Sequence, residues 1–163
     1  MASLSDSPFA VLTAVVAPAI LTNACSVLSL GTGNRIARVV DRTRVVVNEL
    51  SGLAAGEHEY KWRLNQLERL HLRGGLLLKA LRLFYVALGC FAASALLSVI
   101  GASLVYYEMS YAFHVLAVGA LCVGVVAVCG LVSGCALMVR ETTLAVESVG
   151  GEVEEALQKF RGK

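Results

Sequence analysis

The residues of this chain that could do chemistry are few and scattered. Of the three histidines, His58 and His71 lie in a charge-rich stretch, and only His114 enters an apolar one. No second histidine or carboxylate follows His114 at metal-ligand spacing. Histidine titrates near neutrality, so His114 reads either as a polar tip reaching water at a membrane surface or as a pH-sensing group. The five cysteines (Cys25, Cys90, Cys122, Cys129 and Cys135) sit inside apolar stretches, form no CxxC pair and are odd in number. That pattern argues against a disulfide framework or a zinc site and for small, polarisable packing residues. No nucleophile stands at a recognisable spacing from a base. The expectation is a non-enzymatic protein with no metal and no cofactor.

The most suggestive polar residues lie near the amino terminus. Pro18 falls in the middle of an apolar segment, where its missing N–H frees the carbonyl at Ala14 and bends the helix. Thr22, Ser26, Ser29 and Gly33 follow at offsets that place them on one helical face, with Asn23 beside it. Buried hydroxyls and an amide in hydrocarbon must find partners or a wet cavity. Two readings stand: hydrogen bonds between helices, or a polar pore lined by Thr22, Asn23, Ser26 and Ser29 next to Pro18.

The elements that carry these residues follow from composition. Hydrophobic residues make up 57% of the chain and charged ones 16%, with a mean hydropathy of +0.72. A soluble domain is nearer to about 45–50% and about 25%. Part of the apolar surface must therefore meet lipid. A helix needs about 20 apolar residues to cross a bilayer core about 30 Å thick, and residues 9–30, 83–107 and 111–139 are charge-free windows of that length or more. The sequence predicts an all-α integral membrane protein, a single membrane domain over residues 1–163 with three transmembrane helices. The first span is read as retained rather than as a signal peptide, since it lacks a basic start and arginines follow it at once.

Orientation follows from the basic residues. Arg35, Arg38, Arg42, Arg44, Lys61, Arg63, Arg69, Arg73, Lys79 and Arg82 separate the first two spans, and Arg140, Lys159, Arg161 and Lys163 follow the third. The stretch before the first span and the Glu108-Met109-Ser110 link carry none. The positive-inside rule then puts the amino terminus outside or in the periplasm, and residues 31–82 and the tail 140–163 in the cytoplasm. Phe84 and Tyr85 are expected at one interface, and Tyr106, Tyr107, Tyr111 and Phe113 at the other.

Between the first two spans, helical spacing of Ile36, Val39, Val40, Val46, Val47, Leu50 and Leu53 predicts a helix over 34–55 continuing through Gly31-Thr32-Gly33. A turn is expected at Ser51-Gly52 and Gly56, and a second helix from Glu57 through Gly74-Gly75 into span two. Together they form a cytoplasmic helical hairpin over 34–80. The tail offers a third helix with a break at Gly150-Gly151. The densest charge feature is Arg35, Arg38, Asp41, Arg42 and Arg44. It reads as a topology anchor touching anionic lipid, a charge network centred on Asp41 that locks helices or subunits, or an ion vestibule. Nucleic acid is not an expected partner, because Glu49, Glu57, Glu59 and Glu68 dilute the positive field. In spans two and three, Gly89-x-x-x-Ala93, Ser94-x-x-x-Ser98-x-x-x-Ala102 and Gly130-x-x-x-Gly134 predict close helix packing.

The stretch Pro18-Ala-Ile-Leu-Thr-Asn-Ala-Cys, followed by Asn34-Arg35 and Arg38-Val-Val-Asp41-Arg42-Thr-Arg44, resembles a family of small bacterial membrane proteins of unknown function. The resemblance covers about residues 9–140 and implies a bacterial inner-membrane location, with no activity, substrate or catalytic residue attached. Two functions are expected from the residues. One is a homo-oligomeric ion channel or ion-conducting pore lined by the first span. The other is a scaffold or accessory subunit that binds anionic lipid or another membrane protein through its arginine-rich hairpin.

Overall fold

The computed structural model describes the backbone of residues 8–52, 58–106 and 110–161, and the side chains of 16–52, 59–104, 111–147 and 150–151. Leu53, Gly56 of the predicted turn, the predicted helix start at Glu57, Tyr107 and the Glu108-Met109 link lie outside them, as do the side chains of Tyr106 and of Val153, Leu157 and Phe160 in the tail.

Three α-helices make up the described chain: α1 (Pro8–Ser51), α2 (His58–Tyr106) and α3 (Ser110–Arg161). They are 44, 49 and 52 residues long. At about 1.5 Å per residue they measure roughly 65–80 Å, far more than a hydrocarbon core of about 30 Å requires. Each contains a stretch long and apolar enough to cross a membrane: Val16–Ser51, Glu59–Leu104 and Tyr111–Glu147. No more than 22% of the most apolar window of any of them is buried. Most of that apolar surface thus points outward, as lipid contact requires.

Local chemistry explains the helix bounds. Pro18 lies inside α1, and the Thr22 hydroxyl donates to the Pro18 carbonyl at 2.8 Å. Gly31-Thr32-Gly33 is continuous helix. The carboxyl end of α1 closes with the Ser51 hydroxyl donating to the Asn48 carbonyl at 2.7 Å and the Gly52 N–H to the Glu49 carbonyl at 3.3 Å. Glu59 in the first turn of α2 complements the helix dipole. The break expected at Gly150-Gly151 is absent: α3 runs through both glycines. A glycine costs a helix about 1 kcal/mol relative to alanine, too little to end a helix with flanking residues of high propensity.

The chain divides into two compact units. The first comprises Met1–Leu30 and Arg82–Gly134. Its core joins Cys25 of α1, Ala87 and Phe91 of α2 and Ala127 of α3, with Leu21, Leu88, Cys90 and Leu131 packed around them. The α2–α3 contact is close. A Cβ at Gly130 would lie 3.6 Å from Ala87 Cβ, and one at Gly134 only 2.5 Å from Phe84 Cε1. Phe84 is accordingly fully buried, so its ring packs among the helices rather than projecting outward, while Tyr85 beside it is exposed. The Ser94 hydroxyl donates to the Ala120 carbonyl at 3.0 Å, a buried bond between α2 and α3. Gly89 has open space around it and Ala93 is exposed, so this small-residue pair meets no close helix contact among the described residues.

The second unit comprises Gly31–Leu81 and Cys135–Lys163. Val39 and Val46 of α1 pack on Leu70 and Leu77 of α2, with Ile36, Leu50, Leu67 and Met138 around them. The α1 and α2 segments of the predicted hairpin do pack together, but α3 joins them through Met138, making three helices rather than two.

Candidate functional site: the outward face of α1 and the Glu141 cluster

Within the first unit, the predicted polar face of α1 straddles the boundary between inside and outside. Thr22 is half-buried and its proton is held by the Pro18 carbonyl. Ser26 is exposed and donates to the Thr22 carbonyl at 3.0 Å. Ser29 is buried, and its hydroxyl has no partner among the described residues. Asn23 is exposed and has no side-chain hydrogen bond among the described residues. Its position explains this. With about 3.6 residues per turn, Asn23 lies opposite the line of Leu21, Cys25 and Leu28 that faces the unit's interior. Its outward neighbours at helical spacing are Val16, Ile20, Val27 and Leu30, all exposed. One unbonded amide therefore sits in a largely apolar outer stripe, in which Ser26 is also exposed but donates to its own backbone.

Within the second unit, the charges fall into a different arrangement from a network around Asp41. Glu141 of α3 is 2% exposed and is among the largest fully enclosed side chains. Arg73 of α2 donates to its Oε1 from Nε at 3.0 Å and approaches the same oxygen with Nη2 at 2.9 Å. Arg35 of α1 donates from Nη1 to Oε2 at 3.3 Å and to the Thr142 hydroxyl oxygen at 3.0 Å. Thr142 can accept because its own proton goes to the Met138 carbonyl at 2.9 Å. One buried carboxylate thus joins all three helices, with each oxygen matched to a different arginine. A carboxylate this buried persists only when paired and hydrogen-bonded. Nearby, the fully buried Thr32 hydroxyl reaches Met138 Sδ at 3.6 Å. Arg63 of α2 pairs with Glu49 of α1 and more weakly with Glu59 at 3.7 Å.

Of the five residues in the predicted charge network, only Arg35 enters the Glu141 cluster. Asp41 contacts Arg44 at 3.8 Å, one turn away, with both side chains about three-quarters exposed. Arg38 and Arg42 are exposed and form no ion pair among the described residues. Sequence reasoning missed Glu141, Arg73 and Thr142. The available signal was Glu141 itself, the first carboxylate after a long charge-free run and directly behind Arg140. Among the described residues no group of three or more His, Cys, Asp or Glu side chains forms a metal site, and all five cysteines are free. His114 is exposed, with its ring edge-on to Phe113 at 5.7 Å.

Three long helices with apolar outer surfaces, small-residue packing between the second and third, and a charged three-helix unit define an all-α multi-pass membrane protein. The chain belongs to the family DUF2721, described as a protein of unknown function, whose model matches residues 15–150. No curated protein and no solved structure matches the chain.

Proposed function

We propose that this protein is a homo-oligomer of the bacterial inner membrane in which α1 of each copy lines an ion-conducting path. In this arrangement the amino terminus is outside, and residues 31–82 and 140–163 are in the cytoplasm. Asn23 carries the reading: it is exposed and unbonded in the middle of α1's outward apolar face. A primary amide facing hydrocarbon without a partner costs about 2–7 kcal/mol. That cost disappears if copies gather α1 around a shared axis, where the amides meet one another and water. The Thr22 and Ser26 protons are committed to backbone carbonyls, so what these hydroxyls offer a path is oxygen lone pairs. Together with the Asn23 carbonyl they favour a cation over an anion. Purified protein in liposomes should pass monovalent cations under an applied potential, and Asn23→Leu should cut that flux at least tenfold. Absence of flux at every potential and pH tested would defeat the reading.

A scaffold or accessory subunit is the second reading, and Arg38 and Arg42 favour it because they are exposed without an ion-pair partner among the described residues. It expects sealed liposomes, and a co-purifying membrane protein or anionic lipid lost on Arg38→Glu or Arg42→Glu.

A further inference from the structure

We infer that the outward line of α1 in the charged unit is a contact between parallel copies of this chain, in which Asp41 of one copy pairs with Arg38 of its neighbour. The inference rests on the homo-oligomeric reading above and names the surface that would hold the copies in register.

The line is defined by what it faces away from. Thr32, Val39 and Val46, seven residues apart, are buried within the unit. On the opposite side of the helix, Asn34, Asp41 and Asn48 form a second line of seven-residue spacing, and all three are exposed. It is flanked on one side by Gly31, Arg38 and Val45, and on the other by Ala37 and Arg44, also all exposed. A seven-residue repeat keeps one stripe facing a partner helix along the whole contact.

The composition of that stripe suits another copy of itself better than water or lipid. Asn34 and Asn48 carry amides, each both donor and acceptor, so identical residues meeting in register satisfy each other. Asp41 and the arginines at 38 and 44 are opposite in sign within one turn, so a symmetric neighbour presents an arginine to each aspartate. Asp41 is poorly served inside its own chain: the Arg44 contact is 3.8 Å long and largely in solvent, where such a pair is worth little. Arg38 has no ion-pair partner among the described residues. Val45, on the Arg38 flank, is 44% exposed, an apolar group placed to pack once a neighbour covers the stripe. A lipid headgroup would match Arg38 but would leave Asp41 repelled by its phosphate, whereas a second copy accommodates both charges.

Charge exchange tests this directly. Native mass spectrometry of detergent-purified protein should find the wild type in one oligomeric state. Asp41→Arg alone places two like charges on the contact, and so does Arg38→Asp alone; each should weaken association at least tenfold while far-ultraviolet circular dichroism stays helical. Mixing the two single variants, or combining both changes in one chain, should restore the oligomer. High salt should lower the wild-type association and narrow its difference from the variants. If both single variants assemble like the wild type, or if neither mixture nor double variant recovers assembly, the contact is elsewhere and the channel reading is untouched. A monomeric wild type would overturn this contact and the oligomeric reading together.

Discussion

Arg73 holds Glu141 through two contacts to a single carboxylate oxygen, Nε at 3.0 Å and Nη2 at 2.9 Å, which leaves the second oxygen for Arg35 of another helix. One side chain from each helix thereby meets at a point where the carboxylate is 2% exposed. Removing one member strands the others. Glu141→Leu is expected to destabilise the protein by about 2–4 kcal/mol, less than for a fully buried cluster because Arg35 is 44% exposed and can turn to water. Replacing all three, as Arg35→Met, Arg73→Met and Glu141→Leu together, should recover most of the loss, since a matched apolar set carries no desolvation cost. Thermal unfolding in detergent measures both; a triple variant less stable than the single one would contradict this account of the cluster.

Gly134 and Phe84 set the distance between α2 and α3 in the first unit. A Cβ at Gly134 would stand 2.5 Å from Phe84 Cε1, and a fully buried ring cannot swing aside. Gly134→Ala should therefore cost about 1–3 kcal/mol, and Phe84→Leu in the same chain should return part of it. Gly119→Ala is the control. Among the described residues nothing lies within 4 Å of its Cβ position, so the variant's melting temperature should match the wild type or exceed it slightly.

Much of this architecture was legible in the sequence because the signals are local. Charge-free windows reported the three long apolar helices, and helical spacing of Val39, Val46 and Leu50 reported the buried side of α1. The glycines at 130 and 134 signalled close packing, and the structure places both against α2. What escaped depends on contacts between residues distant in the chain. Nothing adjacent to Glu141 in the sequence reports Arg35 and Arg73, which reach it from two other helices. That the Phe84 ring packs inward depends on Gly134, distant in the chain, which leaves a slot for it. The polar face from Thr22 to Ser29 was identified as one stripe, but the helix sits with that stripe at its edge. Two hydroxyls donate to their own backbone, one is buried, and of the two exposed side chains, Asn23 and Ser26, only the amide is left unbonded among the described residues.

The arrangement of basic residues yields a topology prediction. Arg35 to Arg82 lie between the first two spans, and Arg140 begins the segment after the third. A green fluorescent protein fused after Lys163 should fluoresce, and alkaline phosphatase fused there should be inactive. Phosphatase inserted at the Glu108-Met109 link should be active. The reverse pattern would place the arginine-rich segments outside and remove the basis for a cytoplasmic charged unit.

The central claim is that α1 faces a shared axis with Asn23 at its middle. A structure of the assembled protein in a lipid nanodisc, by electron cryo-microscopy, tests it most directly. The account predicts a symmetric ring of copies with the Asn23 amides turned toward a hydrated central axis and the apolar face of α3 against lipid. An assembly in which Asn23 faces the bilayer, or in which α2 or α3 forms the axis while α1 lies at the rim, would contradict it.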